Sequence, residues 1–293
     1  MSVSSMISIT AAGYRLVLAP DIGGAIASLE RDGRPVLRGS AAPTSPLDCG
    51  CFPLVPYCNR IRDGRFAFRG RTVTIDPNMA GDPSPLHGDG WLAPWTVTDQ
   101  GPDHASIDFD HPPGEWPWAY SARQTFCLSE AGLEAEIACT NRSDDPMPAG
   151  LGFHPYFPCD ASTIIDTGVT KVWEVDDLIL PTSVAAPEGR YALDGTPACG
   201  RALDNGYGGW SGEMLLRYGD GFVTRMASPD AEFFQIYSPE SGGLLAAEPV
   251  SHANAAINEP EESWPDLGLR VLAPGETIRL RMTIAFDPQH RLG

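Results

Sequence analysis

The feature that most restricts the fold of this chain is period-two alternation of apolar residues, broken repeatedly by glycine and proline. In "RFAFRGRTVTI", Phe66 and Phe68 share one face, Arg69-Gly70 forms the turn, and Val73 and Ile75 resume the pattern. "IASLERDGRPVLRG" turns at Asp32-Gly33, a strong hairpin signal. "RQTFCLSEAGLEAEIACT" turns near Glu130-Ala131-Gly132 and then sets Leu133, Ala135, Ile137 and Cys139 in register. "EMLLRYGDGFVTRMAS" turns at Gly219-Asp220-Gly221, and "GETIRLRMTIAF" supplies a closing strand with Ile278, Leu280, Met282 and Ile284 inward. No segment carries a long i, i+3, i+4, i+7 stripe. Hairpins without crossover helices mean antiparallel sheets. There are more strands than a small barrel needs, so two large stacked sheets in one domain over 1–293 are expected.

Charge narrows the partners. The 293 residues carry 38 acidic against 20 basic side chains, a net charge of -18, and Lys171 is the sole lysine. Such a field repels phosphate backbones and anionic lipid surfaces, so neither nucleic acid nor membrane is an expected partner. Residues 1–20 lack a basic segment ahead of an apolar run, and no stretch approaches the roughly 20 apolar residues that span a bilayer. The seven cysteines (Cys49, Cys51, Cys58, Cys127, Cys139, Cys159, Cys199) form no C-x-x-C pair. They read as buried thiols of a cytoplasmic protein, with no metal site. The high charge favours a monomer, although exposed edge strands would permit a weak dimer.

Four short polar motifs stand out from this background. Asn59-Arg60 leads into the Phe66 strand and offers donors for hydroxyls or a carboxylate. His87, in "LHGDGW", lies among glycines with Trp91 and Trp95 following. His154, in "GFHPYF", is walled by aromatics and followed by Pro155, a setting in which desolvation tunes an acid. Glu248 ends the apolar run "LLAAE", where an unpaired carboxylate would cost several kcal/mol, so it must be paired or functional. One histidine, one glutamate and supporting donors suit general acid–base chemistry on a neutral polyol. His104 and His111, in a Pro/Asp-rich stretch, read as solvated.

Taken in order, "NRIRDGRF", "LHGDGW", "GFHPYF", "LDNGYGGW" and "AAEPVSHANAAIN" resemble the aldose 1-epimerase (galactose mutarotase-like) family over roughly residues 16–286. The resemblance implies an all-β antiparallel β-supersandwich with an open cleft. It also implies interconversion of α and β anomers of a free aldohexose without a cofactor. Position by position, it makes His154 the general acid and Glu248 the general base. Asn59, Arg60, His87 and Asp204 become hydroxyl-binding residues, with Gln235 a weaker match. The chain departs from the best-known members at Phe153 and Pro155 around His154, and at Asn205 beside Asp204. On this reading Arg60 stabilises charge at the ring oxygen and keeps His154 and Glu248 from pairing with each other. Competing readings are a hexose-6-phosphate 1-epimerase and a non-catalytic sugar-binding module. A phosphate would need cations beyond Arg60. Arg62 could share the cleft side with it if the segment were extended, while Arg65, Arg69 and Arg71 face solvent. A glycoside hydrolase would need two spaced carboxylates, for which only Glu248 and Asp204 are candidates.

Overall fold

The two-residue turns read from the sequence are where the chain reverses. In the computed structural model, which describes residues 6–288, Asp32-Gly33 has φ of 49° and 78°, and Arg69-Gly70 has φ of 48° and 79°. Two successive left-handed residues match the right-handed twist of the strands they join, and glycine at the second position takes that backbone without strain. Every strand pairing is antiparallel. The architecture is the antiparallel β-supersandwich. The terminal residues 1–5 and 289–293 of the expected 1–293 domain lie outside the described residues.

Two large sheets dominate. The nine-stranded sheet runs Asp194–Pro197, Ile164–Thr167, Glu213–Arg217, Phe222–Ala227, Thr277–Pro288, Gly132–Asn141, Tyr120–Ser129, His104–His111, Thr96–Gln100 in spatial order. The eight-stranded sheet runs Pro181–Ala185, Lys171–Val175, Leu203–Gly208, Phe233–Ser238, Leu244–Val250, Gly152–Phe153, Pro53–Leu54, and Tyr156–Pro158 also pairs with Leu244–Val250. A four-stranded sheet from Ile7–Ala11 to Arg34–Pro35 completes the main layers. One continuous apolar core, from Ile9 to Phe286, joins them. Each large core side chain buried in it contributes about 1.5–3 kcal/mol.

Alternation decides which side chains enter this core. Along Tyr120–Ser129, Tyr120, Ala122, Gln124, Phe126 and Leu128 are buried, and the intervening residues are partly or fully exposed. Cys127 falls on the outward set. The expectation of seven buried thiols therefore holds for Cys49, Cys51, Cys58 and Cys139 only: Cys127 is exposed, Cys159 and Cys199 are half-buried, and all seven are free. His111 also departs from expectation. It ends the His104–His111 strand, stacks on Tyr120 at 4.7 Å and lies 3.1 Å from the Trp116 carbonyl, whereas His104 is half-buried, with its side chain reaching solvent beside Asp103. The described residues contain no helix long and apolar enough to cross a membrane.

Candidate active site

The eight-stranded sheet gives up its apolar rule on one face. Asp204 on Leu203–Gly208, Gln235 on Phe233–Ser238 and Glu248 on Leu244–Val250 sit on three adjacent strands, with Gln235 and Glu248 directly opposite in register. Gln235 Nε2 donates to Asp204 Oδ1 at 2.9 Å. His154 occupies the two-residue gap between Gly152–Phe153 and Tyr156–Pro158. Its backbone amide donates to the Phe52 carbonyl at 3.0 Å. Because Tyr156 pairs with Ala246, and the Ala247 amide donates to the Pro155 carbonyl, His154 is brought onto the Glu248 strand.

Loops supply the opposite wall. Asn59 (φ 61°) and His87 (φ 60°) both hold left-handed backbones, and the Asn59 amide donates to His87 Nδ1 at 3.1 Å. That bond leaves the His87 proton on Nε2, so the ring can donate a hydrogen bond. Gly88 lets this loop lie close: a Cβ there would stand 2.3 Å from the Val55 carbonyl oxygen. Together Asn59, Arg60, His87, His154, Asp204, Gln235 and Glu248 line one cavity of about 350 Å³, with Phe52, Trp91, Tyr156 and Tyr237 among its apolar walls. All seven residues proposed from the sequence therefore converge. That size is in the range of small-molecule sites.

His154 Nε2 and Glu248 Oε1 are 3.2 Å apart, both side chains nearly inaccessible to solvent. The imidazole stacks on Phe52 at 4.5 Å and packs against the tilted Tyr156 ring at 4.6 Å. Burial holds His154 neutral, lowering it to about 3. Burial and the neighbouring Asp204 push the Glu248 carboxyl well above the ordinary carboxylate range, with Arg60 opposing. Asp204 is likewise raised, chiefly by burial. Both members of the pair thus favour their neutral forms, so the pair holds one proton and titrates as a unit. His154 Nδ1 and Glu248 Oε2 are buried without a protein partner. Arg38 Nε, Trp116 Nε1, Tyr120 Oη and Tyr207 Oη are unpartnered too, but those residues do not line the cavity, whereas His154 and Glu248 do.

Two expectations fail here. Arg60 does not separate His154 from Glu248, because its guanidinium is taken by Asp82: Nε and Nη2 lie 2.9 and 2.8 Å from Asp82 Oδ2. Arg62 does not share the cleft side. Residues 62–64 form a 3₁₀ turn with Asp63 at φ 56°, and the Arg62 guanidinium donates to the Pro181 carbonyl at 3.0 Å. Arg65, Arg69 and Arg71 are exposed as expected.

Sequence reasoning passed over the residues that hold the Asn59-Arg60 segment. His252 Nε2 accepts the Cys58 amide at 2.9 Å, Asn254 Oδ1 the Arg60 amide at 3.1 Å, and Asn258 Oδ1 the Arg62 amide at 2.7 Å. All three lie in "SHANAAIN", directly after Glu248, so the dense run of polar side chains there was the available signal. No cluster of three or more His, Cys, Asp or Glu side chains among the described residues could hold a metal ion.

Comparison with known proteins bears on this arrangement. The aldose 1-epimerase profile matches residues 5–285, and the chain belongs to that family. The uncharacterised Escherichia coli K12 protein YphB is 30% identical over 278 residues, covering 91% of this chain and 94% of its own. A crystal structure from E. coli K12, described as a candidate aldose 1-epimerase, is 27% identical with a TM-score of 0.88 over 97% of this chain and 99% of that one. A galactose mutarotase-like protein from Clostridium acetobutylicum shares the fold at 19% identity, with a TM-score of 0.85 over 97% and 95% of the two chains. Family and fold together support an epimerase-type activity on sugars.

Proposed function

We propose that this protein is an aldose 1-epimerase that interconverts the α and β anomers of a free, uncharged aldohexose. The observation that carries the reading is the His154–Glu248 contact at 3.2 Å, buried in a cavity whose remaining polar lining consists of hydroxyl-binding groups. Mutarotation moves one proton from O1–H and delivers one to the ring oxygen, with no net change. A pair holding one exchangeable proton suits that requirement. The pair rests with its proton on Glu248; once that proton shifts across the 3.2 Å contact to His154, Glu248 accepts from O1–H while His154 donates to the ring oxygen. The C1–O5 bond breaks and an aldehyde forms. Rotation about C1–C2 presents the other face, and reclosure runs the two transfers in reverse, restoring the pair. Each such transfer commonly supplies about 10²–10⁴-fold in rate.

Binding follows from the other side chains. His87 Nε2–H and the free Arg60 N–H groups donate to sugar oxygens; Asp204 and Gln235 accept and donate at the ring hydroxyls. Tyr237, the exposed aromatic among the lining residues, gives the apolar surface against which sugar C–H groups pack, with the buried Trp91 and Phe52 rings behind the site. An Arg60 N–H near the ring oxygen stabilises negative charge as the C1–O5 bond lengthens. This reading takes 1–293 as one functional domain, supported by the unbroken core. It needs no cofactor.

Polarimetry of freshly dissolved α-D-glucose and α-D-galactose, with and without protein, tests it. Acceleration of either sugar far above the spontaneous rate is expected. Spontaneous rates for both, from folded protein at micromolar concentration, would overturn the reading in favour of a sugar-binding module.

A further inference from the structure

Among the described residues, Arg60 is the one permanently cationic side chain that lines the cavity, and that cation arrives already matched. Asp82 belongs to the loop between the Arg71–Thr74 strand and His87. The loop is built to present it. Asn78 Oδ1 accepts the Leu86 amide, and Asn78 Nδ2 donates to the Leu86 carbonyl, both at 2.7 Å. Asp82 Oδ1 accepts the Ser84 amide at 2.9 Å, which turns the carboxylate so that Oδ2 receives Nε and Nη2 of Arg60. Arg60 Nη1 donates to Asn59 Oδ1 at 3.1 Å. Both ion-pair side chains are 9% exposed. The nearby Arg38 is turned to the Cys49 carbonyl at 3.2 Å and lies over the Tyr156 ring, and it does not line the cavity.

An unpaired buried guanidinium is a strong site for phosphate or carboxylate, because its planar fork matches those anions and its charge needs compensation. Asp82 removes that opportunity while leaving N–H bonds of Arg60 free for neutral hydroxyls. We propose that Asp82 is a specificity determinant that reserves the cavity for uncharged sugars by occupying the anion-binding edge of Arg60. This deepens the mutarotase reading and rests on it for the identity of the ligand class. Discrimination here is a difference of affinities: an incoming anion must displace a preorganised carboxylate before it can reach the Arg60 fork.

Isothermal calorimetry with glucose, galacturonate and glucose 6-phosphate tests the proposal by binding alone, independent of turnover. For the unaltered protein, glucose should bind more tightly than either anion. In Asp82→Asn, the ratio of glucose 6-phosphate to glucose affinity should rise about tenfold or more, with a similar rise for galacturonate, and the rise should shrink in 0.5 M salt. Adding Arg60→Met should abolish the gain. Should Asp82→Asn fail to fold, Asp82→Ser keeps an acceptor for the Ser84 amide and carries the same expectation. An unchanged ratio in a folded variant, equal affinities in the unaltered protein, or a gain that persists without Arg60 would each overturn the proposal. Absence of mutarotation with the binding pattern intact would instead strike the catalytic reading and leave the Asp82 assignment standing.

Discussion

The nine-stranded and eight-stranded sheets are written in the same alternating code, yet they place their charges in opposite surroundings. On the nine-stranded sheet, ionic pairs such as Arg123–Asp108 and Arg279–Glu136 stand on the outward face, at 2.6 and 2.8 Å, in contact with solvent. On the eight-stranded sheet, Asp204, Gln235 and Glu248 point into a cavity, and Glu248 meets a histidine rather than an arginine. The outward pairs are screened and worth at most about 1 kcal/mol each. The inward group carries a desolvation cost that a purely structural sheet would avoid with apolar residues. The difference teaches where the chain trades stability for chemistry.

The largest expected effect separates the two faces by activity. Glu248→Gln and His154→Asn should each lower mutarotation by about 10²-fold or more, because each leaves only one proton-transfer group. Anomer exchange followed by NMR in purified, folded variants checks this, and near-normal rates in either would remove that residue from the proposed pair.

A smaller effect concerns stability, and its sign is opposite. The folded Glu248 carboxyl is raised above its ordinary 4.5, so the unfolded chain releases that proton first as pH rises. The stabilising contribution is full below about 4.5 and is lost as pH climbs through the folded value. Glutamine does not titrate. Glu248→Gln should therefore match the unaltered protein near pH 4 and melt about 2 °C or more higher at pH 8, read by calorimetry. A lower Tm at pH 8 would mean that the carboxylate is stabilising and paired.

The outward face gives the smallest effect. Arg123→Ala should shift Tm by no more than about 2 °C and leave anomer exchange unchanged. A larger loss would show that the outward pairs are structural elements in their own right.

How much of this was legible in the sequence follows the same division. Local rules were readable: Asp32-Gly33 and Arg69-Gly70 turn because their backbones must be left-handed, and Phe66, Phe68 and Val73 are buried because side chains alternate. His154 and Glu248 were readable as anomalies, since polar groups in apolar surroundings demand a reason. Partnerships across the chain were not. His252, Asn254 and Asn258 meet amides 194 to 196 residues away, and no periodicity encodes such a meeting. Arg62 was misplaced because alternation was extended through Asp63, whose left-handed φ of 56° breaks the strand. Asp82 was invisible for a related reason. Nothing local marks a loop aspartate as the counter-ion of an arginine 22 residues earlier.

The pH dependence of anomer exchange tests most directly the claim that His154 and Glu248 share one proton in a buried pair. His154 is lowered to about 3, so the pair gains a second proton only in strong acid. Glu248 is raised well above the carboxylate range, so the pair loses its proton only at higher pH. The one-proton form fills the interval between, and kcat/KM, corrected for spontaneous exchange, should show no histidine inflection at the ordinary 6.5. An inflection near 6.5 that disappears in His154→Asn would show an ordinary, solvated histidine and contradict the buried pair.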